Sequence, residues 1–158
     1  MKTKMDGTGS AEIVSGLRVP FGIAVDYEKS TLFWVDRSAF KVQYSGLDGG
    51  TATTIVEEYL MYPHGIVVDQ TRLYIGTWVV PAELRSYNKT GGDMKSLYTG
   101  GERIEQMALI TSRPPKTTRR NHCAGQQRCS DDSICVLTDA CFRCLSFSSP
   151  SDSRFKPE

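Results

Sequence analysis

Short apolar stretches alternate with polar turns along the first two-thirds of the chain. Glu12-Ile13-Val14, Ile23-Ala24-Val25, Leu32-Phe33-Trp34-Val35 and Lys41-Val42-Gln43-Tyr44 are rich in β-branched and aromatic residues. Runs of this length and composition predict strands. Gly16, Pro20-Phe21-Gly22, Glu28-Lys29-Ser30 and Leu47-Asp48-Gly49-Gly50 stand between them and have turn composition. Helical periodicity is weak. Its best candidate, Val56-Glu57-Glu58-Tyr59-Leu60-Met61, is too short to be stable alone. The pattern predicts an all-β fold.

The pattern also repeats. Pro20-Phe21-Gly22-Ile23-Ala24-Val25-Asp26 returns as Pro63-His64-Gly65-Ile66-Val67-Val68-Asp69, 43 positions on. Leu32-Phe33-Trp34-Val35-Asp36 returns as Leu73-Tyr74-Ile75-Gly76-Thr77, 41 positions on. Met5-Asp6-Gly7, Leu47-Asp48-Gly49 and, loosely, Lys89-Thr90-Gly91-Gly92 mark the same period. Three motifs in one order define a unit of 41–43 residues. Four short strands in such a unit match one blade of a β-propeller. Within a blade, Gly22 and Gly65 are expected at the sharp entry to the inner strand. Ile23, Val25, Ile66 and Val68 would pack between blades, and Phe33 and Trp34 would add large apolar area there. Asp48-Gly49 would make a tight turn. Asp26, Asp36 and Asp69 would accept hydrogen bonds from loop backbone.

These motifs, Pro20-x-Gly22-Ile-Ala-Val-Asp26, Leu32-Phe33-Trp34-Val-Asp36 and Leu47-Asp48-Gly49, resemble the YWTD (class B) repeat of the low-density lipoprotein receptor family. The second copy holds Pro63, Gly65, Asp69, Tyr74 and Trp78, but has Thr77 in place of the motif aspartate. Met107-Ala108-Leu109-Ile110 resembles the closing strand of the last blade, and Arg113-Pro114-Pro115 with Asn121-His122-Cys123 resembles the connection into an EGF-like module. The resemblance implies a six-bladed propeller, of which residues 1–112 would be the last two to three blades. It further implies a basic linker at 113–121 and a cysteine-rich, incomplete EGF-like module at 122–145, while the polar, proline-bearing composition of 146–158 predicts a disordered tail.

The five cysteines, Cys123, Cys129, Cys135, Cys141 and Cys144, all fall in the module. An EGF-like module needs six, so two disulfides at most can form here, with connectivity open. Zinc binding through Cys141-x-x-Cys144 is the rival reading, and a second close pair is missing. Asn88-Lys89-Thr90 is a candidate glycosylation acceptor in a turn.

Composition narrows the function. With 19 basic and 18 acidic side chains the net charge is +1, which argues against nucleic-acid binding. No run is long enough to span a membrane, and Met1–Gly7 lacks the apolar stretch of a secretory signal. No phosphate loop, no Gly-x-Ser-x-Gly and no catalytic triad motif is present, so no cofactor or metal is expected. The resemblance implies a non-catalytic receptor piece that binds extracellular protein ligands, alongside further blades of a parent chain and with the family's cell-surface location. A lactonase-like hydrolase on a related six-bladed scaffold is the enzyme alternative. A truncated chain without independent function is the third, because six units need about 250 residues.

Overall fold

The computed structural model describes residues 1–57, 60, 62–110, 133–138 and 142–146. Cys123, Cys129, Cys141, the linker 113–121 and the tail beyond Ser146 lie outside them.

The first repeat forms one antiparallel sheet, with strands β1 (Pro20–Asp26), β2 (Thr31–Asp36), β3 (Lys41–Gly46) and β4 (Gly49–Val56) in chain order. The second repeat builds the same meander from β5 (Pro63–Val68), β6 (Arg72–Thr77), β7 (Ala82–Asn88) and β8 (Lys95–Gly100). A third sheet has the order β11-β10-β9, from β9 (Ile104–Ile110), β10 (Ser133–Thr138) and β11 (Phe142–Ser146). The expected closing strand is therefore the inner strand of this sheet. The two strands beyond it come from the cysteine-rich stretch, and Cys135 pairs with Cys144 in their register.

The sheets stand face to face. β1 packs against β5 and β5 against β9, so the three inner strands lie side by side. Phe33, Val35, Val42, Val56 and Leu60 of the first repeat meet Ile66, Leu73, Ile75 and Tyr87 of the second in one core. Tyr74, Ala82, Leu84 and Ile104 form a second core on the other face of the middle sheet. Successive side chains of a strand alternate between faces. Leu73 and Ile75 therefore serve the first core and Tyr74 the second, and β6 is buried nearly end to end. Each fully buried side chain of this size contributes about 1.5–3 kcal/mol.

The inner strands approach closely. A Cβ on Gly22 would stand 2.5 Å from the His64 carbonyl oxygen, and one on Gly65 3.2 Å from Met107 Cε. The expected sharp entry is a register irregularity between Pro20 and Ile23, and between Pro63 and Gly65. Neither glycine has the left-handed backbone found at Gly49 (φ +97°), so their requirement is for clearance between sheets. Gly49 opens β4 after the Leu47-Asp48 turn.

The expected strand at Glu12-Ile13-Val14 does not form. The N-terminal segment makes one bridge, Lys2 with Ala11. It lies along the first sheet instead. Lys2 Nζ reaches Asp48 Oδ1 at 2.8 Å, and the Arg37 N–H donates to the Val19 carbonyl at 2.9 Å. Of the weak helical candidate, Val56 ends β4 and Leu60 is buried, while Glu58, Tyr59 and Met61 lie outside the described residues.

Candidate functional site

Register brings one set of loops together. Pro20 pairs with Asp36 and Pro63 with Thr77, so the start of each inner strand lies beside the β2–β3 or β6–β7 loop of its sheet. Asp36 fixes the first of these loops. Its Oδ1 accepts from the Ser38 N–H (3.0 Å), the Ser38 hydroxyl (2.9 Å) and the Ala39 N–H (3.1 Å), and its Oδ2 from the Arg18 N–H (3.3 Å). Burial pushes the Asp36 carboxyl up, but these donors outweigh it and hold the group below the usual carboxylate range. In the second repeat Thr77 Oγ1 accepts one bond, from the Glu83 N–H at 2.8 Å. The motif contact is reduced there and not abolished.

The two loops project Arg37 and Trp78, at equivalent positions 41 residues apart. Phe21 and His64, each the residue after the motif proline, meet them. The Arg37 guanidinium carbon lies 4.9 Å from the Trp78 ring centre, 5.3 Å from Tyr62 and 5.6 Å from Phe21. Arg103, just before β9, lies 4.5 Å over the same indole. His64 packs on Phe21 at 3.9 Å and stacks on Trp78 at 5.9 Å, and Phe40 meets Tyr62 edge-on at 5.7 Å. Such cation–aromatic contacts hold a guanidinium in place while leaving its N–H donors open. Among the described residues neither Arg37 nor Arg103 has a carboxylate partner.

A groove of about 290 Å³ continues from this cluster along the inner strands, lined by Phe21, Ile23, His64, Glu105 and Met107 among others. Phe21 and Ile23 are exposed despite their size. His64 Nδ1 is buried and has no hydrogen-bond partner among the described residues. Desolvation and the nearby Arg37 charge push the His64 imidazole below its ordinary value, with Glu105 opposing. The cluster combines large rigid aromatic faces, open charged donors and an apolar trough, a composition typical of protein-contact surfaces.

The remaining sequence-predicted residues lie elsewhere. Phe33 is in the first core, and Trp34 is buried on the opposite face with its Nε1–H donating to Gln43 Oε1 at 3.3 Å. Asp26 ends β1 at the far end of the sheet, buried against the Lys89 ammonium of the β7–β8 turn. Asp69 accepts from Thr71 N–H (2.7 Å), Arg72 N–H (2.7 Å) and the Tyr74 hydroxyl (2.7 Å). Burial and that carboxylate push the Tyr74 phenol far up. Asp48 is exposed in its turn. Asn88 Oδ1 accepts from Thr90 N–H (3.1 Å), Thr90 Oγ1 (2.8 Å) and Gly92 N–H (2.8 Å), closing the β7–β8 turn. Of the predicted set, Trp78 joins the aromatic cluster, and Gly22 and Gly65 line the groove beside it. The motifs read from the sequence hold His64 only as the residue after Pro63 and leave out Arg37, Phe40, Tyr62 and Arg103. The signal available was the repeat itself, which places Arg37 with Trp78 and Phe21 with His64.

Among known proteins, no family profile matches the chain. The vitellogenin receptor Yl of Drosophila melanogaster is 26% identical over 158 residues, 99% of this chain and 8% of that protein. A vitellogenin receptor of Solenopsis invicta is 30% identical over 95 residues, 59% of this chain and 5% of that protein. The chain thus spans less than a tenth of the length of these relatives. Among solved structures, a chain of a nidogen–laminin complex superposes with a TM-score of 0.65 at 20% identity, over 86% of this chain and 47% of that one. A gluconolactonase from Xanthomonas campestris gives 0.63 at 10% identity, over 87% and 40%. At these identities the structural likeness shows the fold alone, a partial β-propeller. In the spacing of its motifs and in its receptor relatives, the chain is similar to a YWTD repeat region of the low-density lipoprotein receptor type.

Proposed function

We propose that the chain is a non-catalytic, ligand-binding part of a cell-surface receptor of this type, and that the loop cluster around Trp78 is its contact face for a protein ligand. The observation that carries this is the pair of unneutralised guanidiniums, Arg37 and Arg103, held over one indole beside exposed Phe21 and Ile23. Surfaces with aromatic and arginine anchors concentrate binding energy. The names of the receptor relatives and the nidogen–laminin complex support a protein as ligand. An endocytic or signalling role for the parent chain, disulfides in the cysteine-rich stretch and glycosylation at Asn88 belong to the same reading. The gluconolactonase likeness is one of fold alone and adds no second reading.

The test is surface plasmon resonance of the chain over immobilised insect vitellogenin. Trp78→Ala should weaken binding about tenfold or more, whereas Lys95→Ala, exposed on β8 away from the cluster, should leave it unchanged. Equal loss from both, or loss from neither, refutes the assignment of this face.

A further inference from the structure

The open guanidiniums specify the chemistry of what the face receives. Several other cations of the described residues take carboxylates: Lys2 with Asp48, Lys41 with Glu57, Arg72 with Asp93, Arg85 with Glu83 and Lys89 with Asp26. Arg37 and Arg103 are held against aromatic rings instead, at 4.9 and 4.5 Å from the same indole. The stacking fixes their position, so little side-chain freedom remains to be lost when an anion arrives. A planar guanidinium fork matches a carboxylate in two parallel hydrogen bonds. Resting on the face reading above, we propose that the partner is an extended protein segment whose Asp or Glu side chain is bound by Arg37 and Arg103 against Trp78.

The neighbouring groups define the rest of that segment. Glu105 lies in the groove beside His64, so a second acid placed there would be repelled. Phe21, Ile23 and Met107 line the same trough and suit an apolar residue next to the carboxylate. The binding unit is therefore an acidic residue flanked by an apolar one.

The test uses the intact chain and a dye-labelled, end-blocked five-residue peptide of alternating leucine and glutamate, followed by fluorescence anisotropy. The same peptide with glutamine is the neutral control, and a sulfated heparin oligosaccharide is a polyanion competitor. Saturable binding of the glutamate peptide is expected, about tenfold or more tighter than the glutamine peptide, and falling with added salt. Arg37→Gln and Arg103→Gln, each checked for an unchanged circular-dichroism spectrum, should remove most of that preference. Arg103 is exposed, so its variant keeps the test open if Arg37→Gln fails to fold. Equal affinity for the two peptides, no binding of the glutamate peptide, or full displacement by heparin at equivalent charge overturns the proposal. The two levels separate cleanly. If vitellogenin binding depends on Trp78 but not on either arginine, the face stands and the carboxylate falls. If it depends on none of the three, the face itself falls.

Discussion

Removing the Lys89 ammonium tests how the first two sheets are held together. Asp26 ends β1 and Lys89 follows β7, and their side chains are 6% and 9% exposed. Lys89→Met keeps the aliphatic stem and leaves the Asp26 carboxylate buried with one remaining donor, the Lys29 N–H at 3.2 Å. Stranding one member of a buried pair costs roughly 3–5 kcal/mol, and the retained backbone bond places this case near the lower end, about 3 kcal/mol. For a folded body of this size that corresponds to a fall in Tm of about 10 °C. Asp26→Asn should cost less, about 1–2 kcal/mol, because a lysine can extend its head toward water. The double variant should therefore lie about 2 kcal/mol above the sum of the singles in stability, measured by urea midpoints with the slope unchanged. Acid supplies a second check. Burial raises the Asp26 carboxyl, but Lys89 and the Lys29 N–H more than offset this and leave it below 3.8. A depressed carboxylate stabilises fully above its unfolded value and loses that stabilisation as pH falls through its folded value. The gap between wild type and Lys89→Met should thus close on going from neutral pH to about pH 2. Additive single effects, or a gap that persists in acid, would refute the staple.

Other perturbations follow from contacts already described. Gly22→Ala puts a methyl 2.5 Å from the His64 carbonyl, a backbone atom, and should cost about 3 kcal/mol in urea unfolding while also disturbing the Phe21–His64 stack. Asp36→Ala strips the acceptor from three backbone N–H groups and should cost about 2–3 kcal/mol, with Asp36→Asn recovering part of it. Tyr74→Phe removes a 2.7 Å bond to a carboxylate, at about 1.5–3 kcal/mol, and in ultraviolet titration one phenol of the wild type should ionise only as the protein unfolds in alkali. For His64 the folded value lies below the unfolded 6.5, so the unfolded chain binds more protons in that interval. Stability should drop as pH falls below about 6.5, and a variant with glutamine at this position should show a flatter profile in the same urea assay.

The blades were legible in the sequence because their determinants are local. Period-2 runs, the Pro-x-Gly entry and the Asp-Gly turn each act over a few residues, and the repeat multiplies the signal. The face around Trp78 was not, because it arises from register: Pro20 opposite Asp36 and Pro63 opposite Thr77 bring four short loops into contact. An arginine in a loop carries no periodicity that marks it as stacked and unpaired. The N-terminal run Glu12-Ile13-Val14 had strand composition, but a strand needs an edge to pair with, which composition does not reveal. The apolar stretch at Ser133–Thr138 was read for its cysteine spacing, although its backbone adds to β9 as an ordinary strand.

The outer strands of the two complete sheets leave one edge unpaired, and their irregularity there has a colloidal consequence. β4 opens with Gly49 and Gly50 at positive φ and slips register against β3 between Val42 and Gln43 and between Tyr44 and Gly46. β8 slips against β7 between Leu84 and Arg85 and begins with an exposed Lys95. A flat, regular edge invites a strand from another molecule, whereas a bulged or charged one offers donors and acceptors out of step. The rim therefore resists fibril-like stacking at concentrations where many copies crowd together, and straightening β4 would remove that protection without touching either core.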